Sequence, residues 1–170
     1  MIRPAIALAA LTLLTACATT PTPSYRNTDQ PLSVTTRHDA ARLAGEWRVR
    51  AATPDDASLT AVTYRPGGQE TFALTRRICN ESGACEPRRS TYPAKPLGPN
   101  RWALRAADGA EWQIWVVWVD ADYRTAAIGT PDGRFGWVLD RAATGGEDRI
   151  TAAREILDFN GYQSGALIPR

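Results

Sequence analysis

The chain has 170 residues, 44% of them apolar and 22% charged, with a formal net charge of +2. That balance fits one globular domain and excludes disordered, collagenous and most multidomain architectures. The 20 basic residues are all arginine except Lys95, and they are spread along the chain rather than gathered into the basic stripe of a nucleic-acid binder. One histidine, His38, and three cysteines, Cys17, Cys79 and Cys85, are too few for a His-dependent triad or a His/Cys zinc site. Neither a metal nor a cofactor is expected. Six tryptophans are many for this length, and five of them lie between Trp102 and Trp137.

The chain opens with the basic start Met1-Ile2-Arg3 and runs apolar from Ala5 to Ala16. A helix of that length reaches about 18 Å, well short of the roughly 30 Å hydrocarbon core, so residues 1–16 are predicted to be a secretory signal and not a membrane span. The segment ends Leu14-Thr15-Ala16-Cys17, which resembles the lipobox of bacterial lipoproteins and implies lipidation at Cys17. Ala18 in place of aspartate resembles the sorting pattern for the outer membrane, facing the periplasm. From Ala18 to His38 the chain is rich in Thr, Pro, Ser and Asn, so residues 17–38 are predicted to be a lipidated cysteine with a polar, flexible tether. His38 reads as a solvated residue at its end. The folded domain is predicted to span residues 39–170.

Beyond the tether the periodicity is that of strands. Segments 44–51, 59–64 and 70–78 come first, with Pro66-Gly67-Gly68 as a turn between the last two. Residues 79–85 form a loop. Segment 86–95 is punctuated by prolines and is expected to be only a short or irregular edge-like strand. Segments 101–105, 111–119, 123–129 and 134–139 complete eight strands, with Asp108-Gly109, Asp120-Ala121-Asp122 and Pro131-Asp132-Gly133 at the turns. Eight sequential antiparallel strands close naturally into an up-and-down barrel, which removes exposed edges. From Asp148 to Phe159 the period becomes helical, with Ile150, Ala153, Ile156 and Leu157 on one face, Asn160-Gly161 as the stop, and 166–168 as a last extended piece.

Three blocks in this order resemble the lipocalin family, in particular bacterial outer-membrane lipocalins related to apolipoprotein D. Gly45-Glu46-Trp47 is similar to the family's Gly-X-Trp, Asp120-Ala121-Asp122-Tyr123-Arg124 to its second block, and Trp137-Val138-Leu139-Asp140-Arg141 to the arginine-bearing end of its last strand. The resemblance covers roughly residues 43–170 and implies an all-β, eight-stranded antiparallel barrel with one α-helix packed outside. Gly45, Trp47, Asp122, Tyr123 and Arg141 are then structural motif residues. Trp47 is expected to plug the barrel floor under the Arg141 guanidinium, a cation–π pair of roughly 0.5–2 kcal/mol. The prolines around 87–99 and a domain of about 130 residues depart from the family pattern and bear on the shape of any cavity.

Segment 111–119 is apolar on both faces, so one faces the lumen and the other a covering helix. By resemblance of the Asp120 register, Trp112, Ile114, Val116 and Trp118 are assigned inward, and with Phe72 and Ala127 they form the expected barrel lining. Such a barrel either holds one small ligand or is filled by side chains, and strand count does not decide. With Cys17 lipidated, Cys79 and Cys85 remain as a pair in an oxidising compartment and are predicted to form a disulfide at the open mouth. Arg76, Arg77, Arg88 and Arg89 lie near that mouth. No phosphate loop or nucleophile elbow is present, and no catalytic residue is assigned. The resemblance implies a lipid-anchored protein that binds a small hydrophobic or amphipathic ligand, of fatty acid or lysophospholipid type. The alternative is a filled barrel acting through its surface, as a periplasmic protease-inhibitor-like or envelope-assembly lipoprotein.

Overall fold

Polar turns between apolar runs leave the chain little choice but to meander, and the computed structural model, which describes residues 23–170, contains that meander. A four-residue helix α1 (Ala40–Leu43) leads into β1 (Gly45–Ala52), β2 (Leu59–Arg65), β3 (Thr71–Cys79), β4 (Cys85–Gly98), β5 (Arg101–Arg105), β6 (Glu111–Val119), β7 (Thr125–Gly129) and β8 (Gly136–Asp140). Each strand pairs antiparallel with the next, and β1 pairs with both β2 and β8, so the eight close into a barrel. Helix α2 (Glu147–Phe159) packs outside, and a two-residue strand β9 (Ile168–Pro169) adds to the second half of β1. The predicted signal residues 1–16 and Cys17 lie outside the described residues.

The closed end is built as the three blocks imply. Gly45 has φ +96°, and a Cβ there would stand 3.4 Å from Arg141 Nη1, a backbone state and a clearance that favour glycine. The Arg141 guanidinium lies 3.7 Å from the Trp47 ring centroid and donates to the carbonyls of Glu46, Arg42 and Ala44 at 2.9, 2.6 and 2.9 Å. Asp120 caps the β6–β7 turn, accepting from the backbone N–H of Asp122, Arg124 and Thr125. Burial works to raise its pKa, but these donors outweigh it and hold the carboxyl below the usual range.

Four strands carry a register shift, and two of these decide which residues face in. In β1 the shift between Val49 and Ala51 leaves Val49 and Ala52 in the barrel core and Ala51 in the layer outside. In β6 the shift between Val116 and Trp118 does the same: Val116 and Val119 face in, and both Val117 and Trp118 face out. An extra residue against one partner breaks the strict alternation of strand faces. The expectation that Trp118 points inward is therefore corrected.

Helix α2 buries Ile150, Ala153 and Leu157 on Val117, Ala127 and Val138 of the outer sheet face. Ala127, expected in the lumen, belongs to this outer layer. It is the bulge's consequence one strand over, since β7 pairs Ala127 with Trp118. Tyr162 lies across the paired glycines Gly129 and Gly136, where a Cβ would approach its ring within 3.1 and 2.8 Å. Its hydroxyl accepts from Thr130 N at 2.8 Å and donates to Phe135 O at 2.8 Å.

Two further expectations change. β4 is not short or irregular but the longest strand, at 14 residues. Ala94 N bonds Glu70 O on the β3 side, so Pro93 and Pro87, of opposite parity, turn their ring nitrogens to the other edge. That edge is unpaired there, because β5 pairs only from Ala94 onward. Proline costs a strand nothing where no ladder bond is due. The tether, in turn, is a strap from residue 24 onward. Tyr25 N bonds Gly133 O at 2.7 Å and Thr35 N bonds Val116 O at 3.0 Å, and Asn160 Oδ1 accepts from Ser33 N and Oγ at 2.7 and 2.6 Å. The buried Arg26 guanidinium donates to the carbonyls of Asn160 and Pro131 at 3.2 and 2.8 Å and to that of Gln30. His38 is exposed, as expected, yet its Nδ1 sits 3.1 Å from Asn100 Oδ1.

Replacing Tyr162 by Phe removes both hydroxyl contacts and is expected to cost about 1–3 kcal/mol in urea unfolding. Burial pushes the Tyr162 phenol up to about 12. Stability contributed by the neutral phenol is thus present below about pH 10 and is lost as pH rises through the folded value. The alkaline limb of the stability–pH curve should be shallower in Tyr162→Phe, and an identical limb would contradict this assignment.

Candidate functional site

β1 begins at the closed end, so the loops after β1, β3, β5 and β7 crowd the opposite, open end. Two spaces lie along the barrel axis, and Trp137 is the one residue that lines both. Below it is a cavity of about 30 Å³, bounded by Trp47, Phe72, Trp102, Ile114, Val116 and neighbours. That is room for two or three waters and not for an acyl chain. Above it a cup of about 310 Å³ opens at the mouth, bounded by Asp55, Asp56, Leu74, Arg76, Tyr92, Trp112, Arg134, Phe135 and Trp137. Its volume is at the lower end of the range for small-molecule sites.

Aromatic packing makes the lower barrel solid. Tyr64, Phe72 and Trp102 form a cluster with centroid separations of 4.8, 5.1 and 5.2 Å. Glu70 Oε2 accepts from Tyr64 Oη at 2.8 Å and from Trp102 Nε1. Burial first, then the hydrogen bond and charge of Glu70, push the Tyr64 phenol well above its ordinary value. Both polar tips are satisfied, so the rings fill the interior without an orphaned donor.

The cup is held by a carboxylate. The turn Pro54–Asp56 projects Asp56 over the barrel, where Oδ2 accepts from Trp137 Nε1 at 2.6 Å and Oδ1 pairs with Arg76 Nη2 at 2.7 Å. This fixes the Trp137 indole between the two spaces, with Phe135 stacked on it at 4.4 Å and 16°. Tyr92 and Trp112 make the opposite wall, edge to face at 4.8 Å. Arg134 stands on the rim, paired with Asp132 at 2.6 Å. The result is an apolar aromatic floor with guanidinium and carboxylate groups at the lip, which suits an amphipathic molecule more than a wholly apolar one.

Of the six residues expected to line the barrel, Phe72, Ile114 and Val116 face the small lower cavity and Trp112 the cup, whereas Trp118 and Ala127 lie outside under α2. Sequence reasoning missed Leu74, Tyr92, Phe135, Trp137 and Asp56. Period-2 alternation from Phe72 through Leu74 to Arg76 marks one face, but Asp56 lies in a turn whose aim no periodicity reveals. The pair Cys79–Cys85 is a disulfide at the tip of the β3–β4 hairpin. Among the described residues, no three His, Cys, Asp or Glu side chains gather as a metal site.

Residues 98–170 match the family model of the lipocalin-like domain, a stretch that includes the Asp120–Arg124 and Trp137–Arg141 blocks and α2. No curated protein matches the chain. Among solved structures the fold is similar to lobster apocrustacyanin A1, at 13% identity over 76% of this chain and 77% of that one, TM-score 0.54. It is also similar to the cockroach allergen Per a 4, at 14% identity over 82% and 94% of the two chains, TM-score 0.55. The architecture is thus a lipocalin-like closed eight-stranded barrel with one helix outside.

Truncating Asp56 to Ala leaves Trp137 Nε1 and the Arg76 guanidinium without their shared acceptor. A loss of about 2–3 kcal/mol in unfolding free energy is expected, discounted for the partial exposure of Arg76. An unchanged urea midpoint would show that the carboxylate does not hold the cup.

Proposed function

We propose that this protein is a lipid-anchored lipocalin that binds a small amphipathic ligand, of fatty acid or lysophospholipid type, in the mouth cup. The observation that carries this reading is the 310 Å³ aromatic cup with Arg76 and Arg134 at its lip. A carboxylate or phosphate head would meet guanidinium donors there, and the first part of an acyl chain would lie on Trp137, Phe135 and Trp112. Each buried methylene contributes about 0.8 kcal/mol. Micromolar affinity, about 8 kcal/mol, therefore needs only partial engulfment once ordering costs are met. The protein carries the ligand and performs no chemistry on it.

Cys17 supplies the anchor in this reading, with residues 1–16 removed on export to the envelope and the mature protein held on the outer membrane, facing the periplasm. A second reading, a filled barrel that acts through its surface, draws on the 30 Å³ left inside the lower barrel.

Ligand affinity should rise with acyl length and then level off once the chain reaches Trp137. In Trp137→Ala the two spaces join, and the rise should continue to longer chains; tryptophan fluorescence titration with a fatty acid and lysophosphatidylcholine series reads both. The substitution is also expected to cost about 3–5 kcal/mol of stability, so Trp137→Leu serves as the milder second variant. A flat titration in delipidated wild-type protein, with no ligand found by mass spectrometry after purification, would favour the filled-barrel reading.

A further inference from the structure

The β3–β4 hairpin outgrows the barrel. β2 pairs with β3 only as far as Leu59–Arg76, and β5 pairs with β4 only from Ala94. Beyond those points residues 77–90 form a two-stranded ribbon at the mouth, rooted by the bond from Arg77 N to Ser58 O at 2.7 Å and stapled at its tip by Cys79–Cys85. Arg77, Arg88 and Arg89 are exposed on it. Among the described residues no salt bridge holds any of the three, in contrast to Arg76, which Asp56 holds. The only acids on the ribbon are Glu81 and Glu86. Ile78, 44% exposed, pairs across the ribbon with Glu86 and shares its face with Arg88, while Arg77 and Arg89 lie on the other face.

A second observation concerns where the chain enters. The strap begins at this same end, with Tyr25 N bonded to Gly133 O in the β7–β8 turn. Cys17 precedes Pro23 by six residues, which span at most roughly 20 Å when fully extended. A lipid on Cys17 would therefore bring its bilayer to the mouth and the ribbon, not to the closed end. Arginines with no acid partner beside an exposed isoleucine suit one surface above others: anionic headgroups over a hydrocarbon layer.

We propose that the arginine ribbon is a docking surface for an anionic lipid bilayer, laying the barrel mouth-down on the membrane. The proposal rests on the anchor reading above for the location of that membrane, but its electrostatics stand on the ribbon alone. Mouth-down docking would set the cup against the lipids from which its ligand is drawn.

The test uses residues 18–170, which hold every described element and contact but not the lipidated cysteine, in co-sedimentation with phosphatidylglycerol–phosphatidylcholine vesicles and with pure phosphatidylcholine vesicles. Binding to the anionic vesicles only, and release by salt, is expected. The triple variant R77S/R88S/R89S should bind about a hundredfold more weakly, at about fivefold per arginine. R37S/R65S/K95S, which removes equal charge from exposed positions towards the closed end, should bind nearly as wild type. Equal losses in the two triples, or no preference for anionic vesicles, would overturn the proposal; so would sedimentation of the protein without vesicles, which would indicate self-association through the ribbon. Fluorescence titration with lysophospholipid is read separately. A lost vesicle preference with an intact titration refutes docking alone, and the converse refutes the cup alone.

Discussion

One shared carboxylate organises the interior of this barrel. Asp56 holds the Trp137 indole by one oxygen and Arg76 by the other, and the indole so placed divides the axis into a nearly solid lower half and an open cup. An apolar ring can rotate or slip to relieve packing, whereas a ring whose N–H is bonded to a buried carboxylate leaves that orientation at the cost of an unpaired donor. The volume a ligand can enter is thus set less by the number of strands than by the direction of one side chain.

Everything outside the sheet serves to close and stiffen that interior. Helix α2 fills one outer flank, Tyr162 crosses the Gly129–Gly136 pair, and the strap runs from the mouth towards the closed end, where Asn100 Nδ2 donates to the carbonyls of Thr35 and Arg37 at 2.8 and 2.9 Å. At that end Arg141 covers Trp47 and ties three carbonyls of the chain entering β1. Among the described residues the mouth end has no comparable cover. Its β3–β4 hairpin carries exposed arginines and stands free, and its cup is the larger of the two axial spaces.

Much of this was legible in the sequence, and the failures have physical causes. The strands 101–105 and 111–119 have the bounds that alternation implies, and Gly45, Trp47 and Arg141 meet as their blocks suggest. Trp118 and Ala127 face outward because of a bulge after Val116, which leaves no mark in a run where every residue is apolar. The prolines of β4 weakened its strand signal, yet two of them fall where the outer edge has no partner. The strap lacks hydrophobic periodicity and is held by polar side chains, its own Arg26 and the distant Asn100 and Asn160, in pairings that a pattern along the chain cannot display. The cup is hidden in the sequence for a related reason. Its walls come from β3, β4, β6 and β8, and its organising residue sits in a turn.

The tryptophan excess that marks the composition offers the most direct test, because the indoles sit at distinct depths. Trp47 and Trp102 lie beneath the partition, Trp137 forms it, Trp112 lines the cup, and Trp118 packs outside under α2. In a nitrogen–proton correlation spectrum each indole N–H gives its own resonance, assignable by single Trp→Phe substitutions. On titration with a saturating lysophospholipid or fatty acid, shifts are expected at Trp112 and Trp137 and none at Trp47 and Trp102. Large shifts at Trp47 and Trp102 would place the ligand deep in the barrel and contradict the claim that Trp137 floors the site.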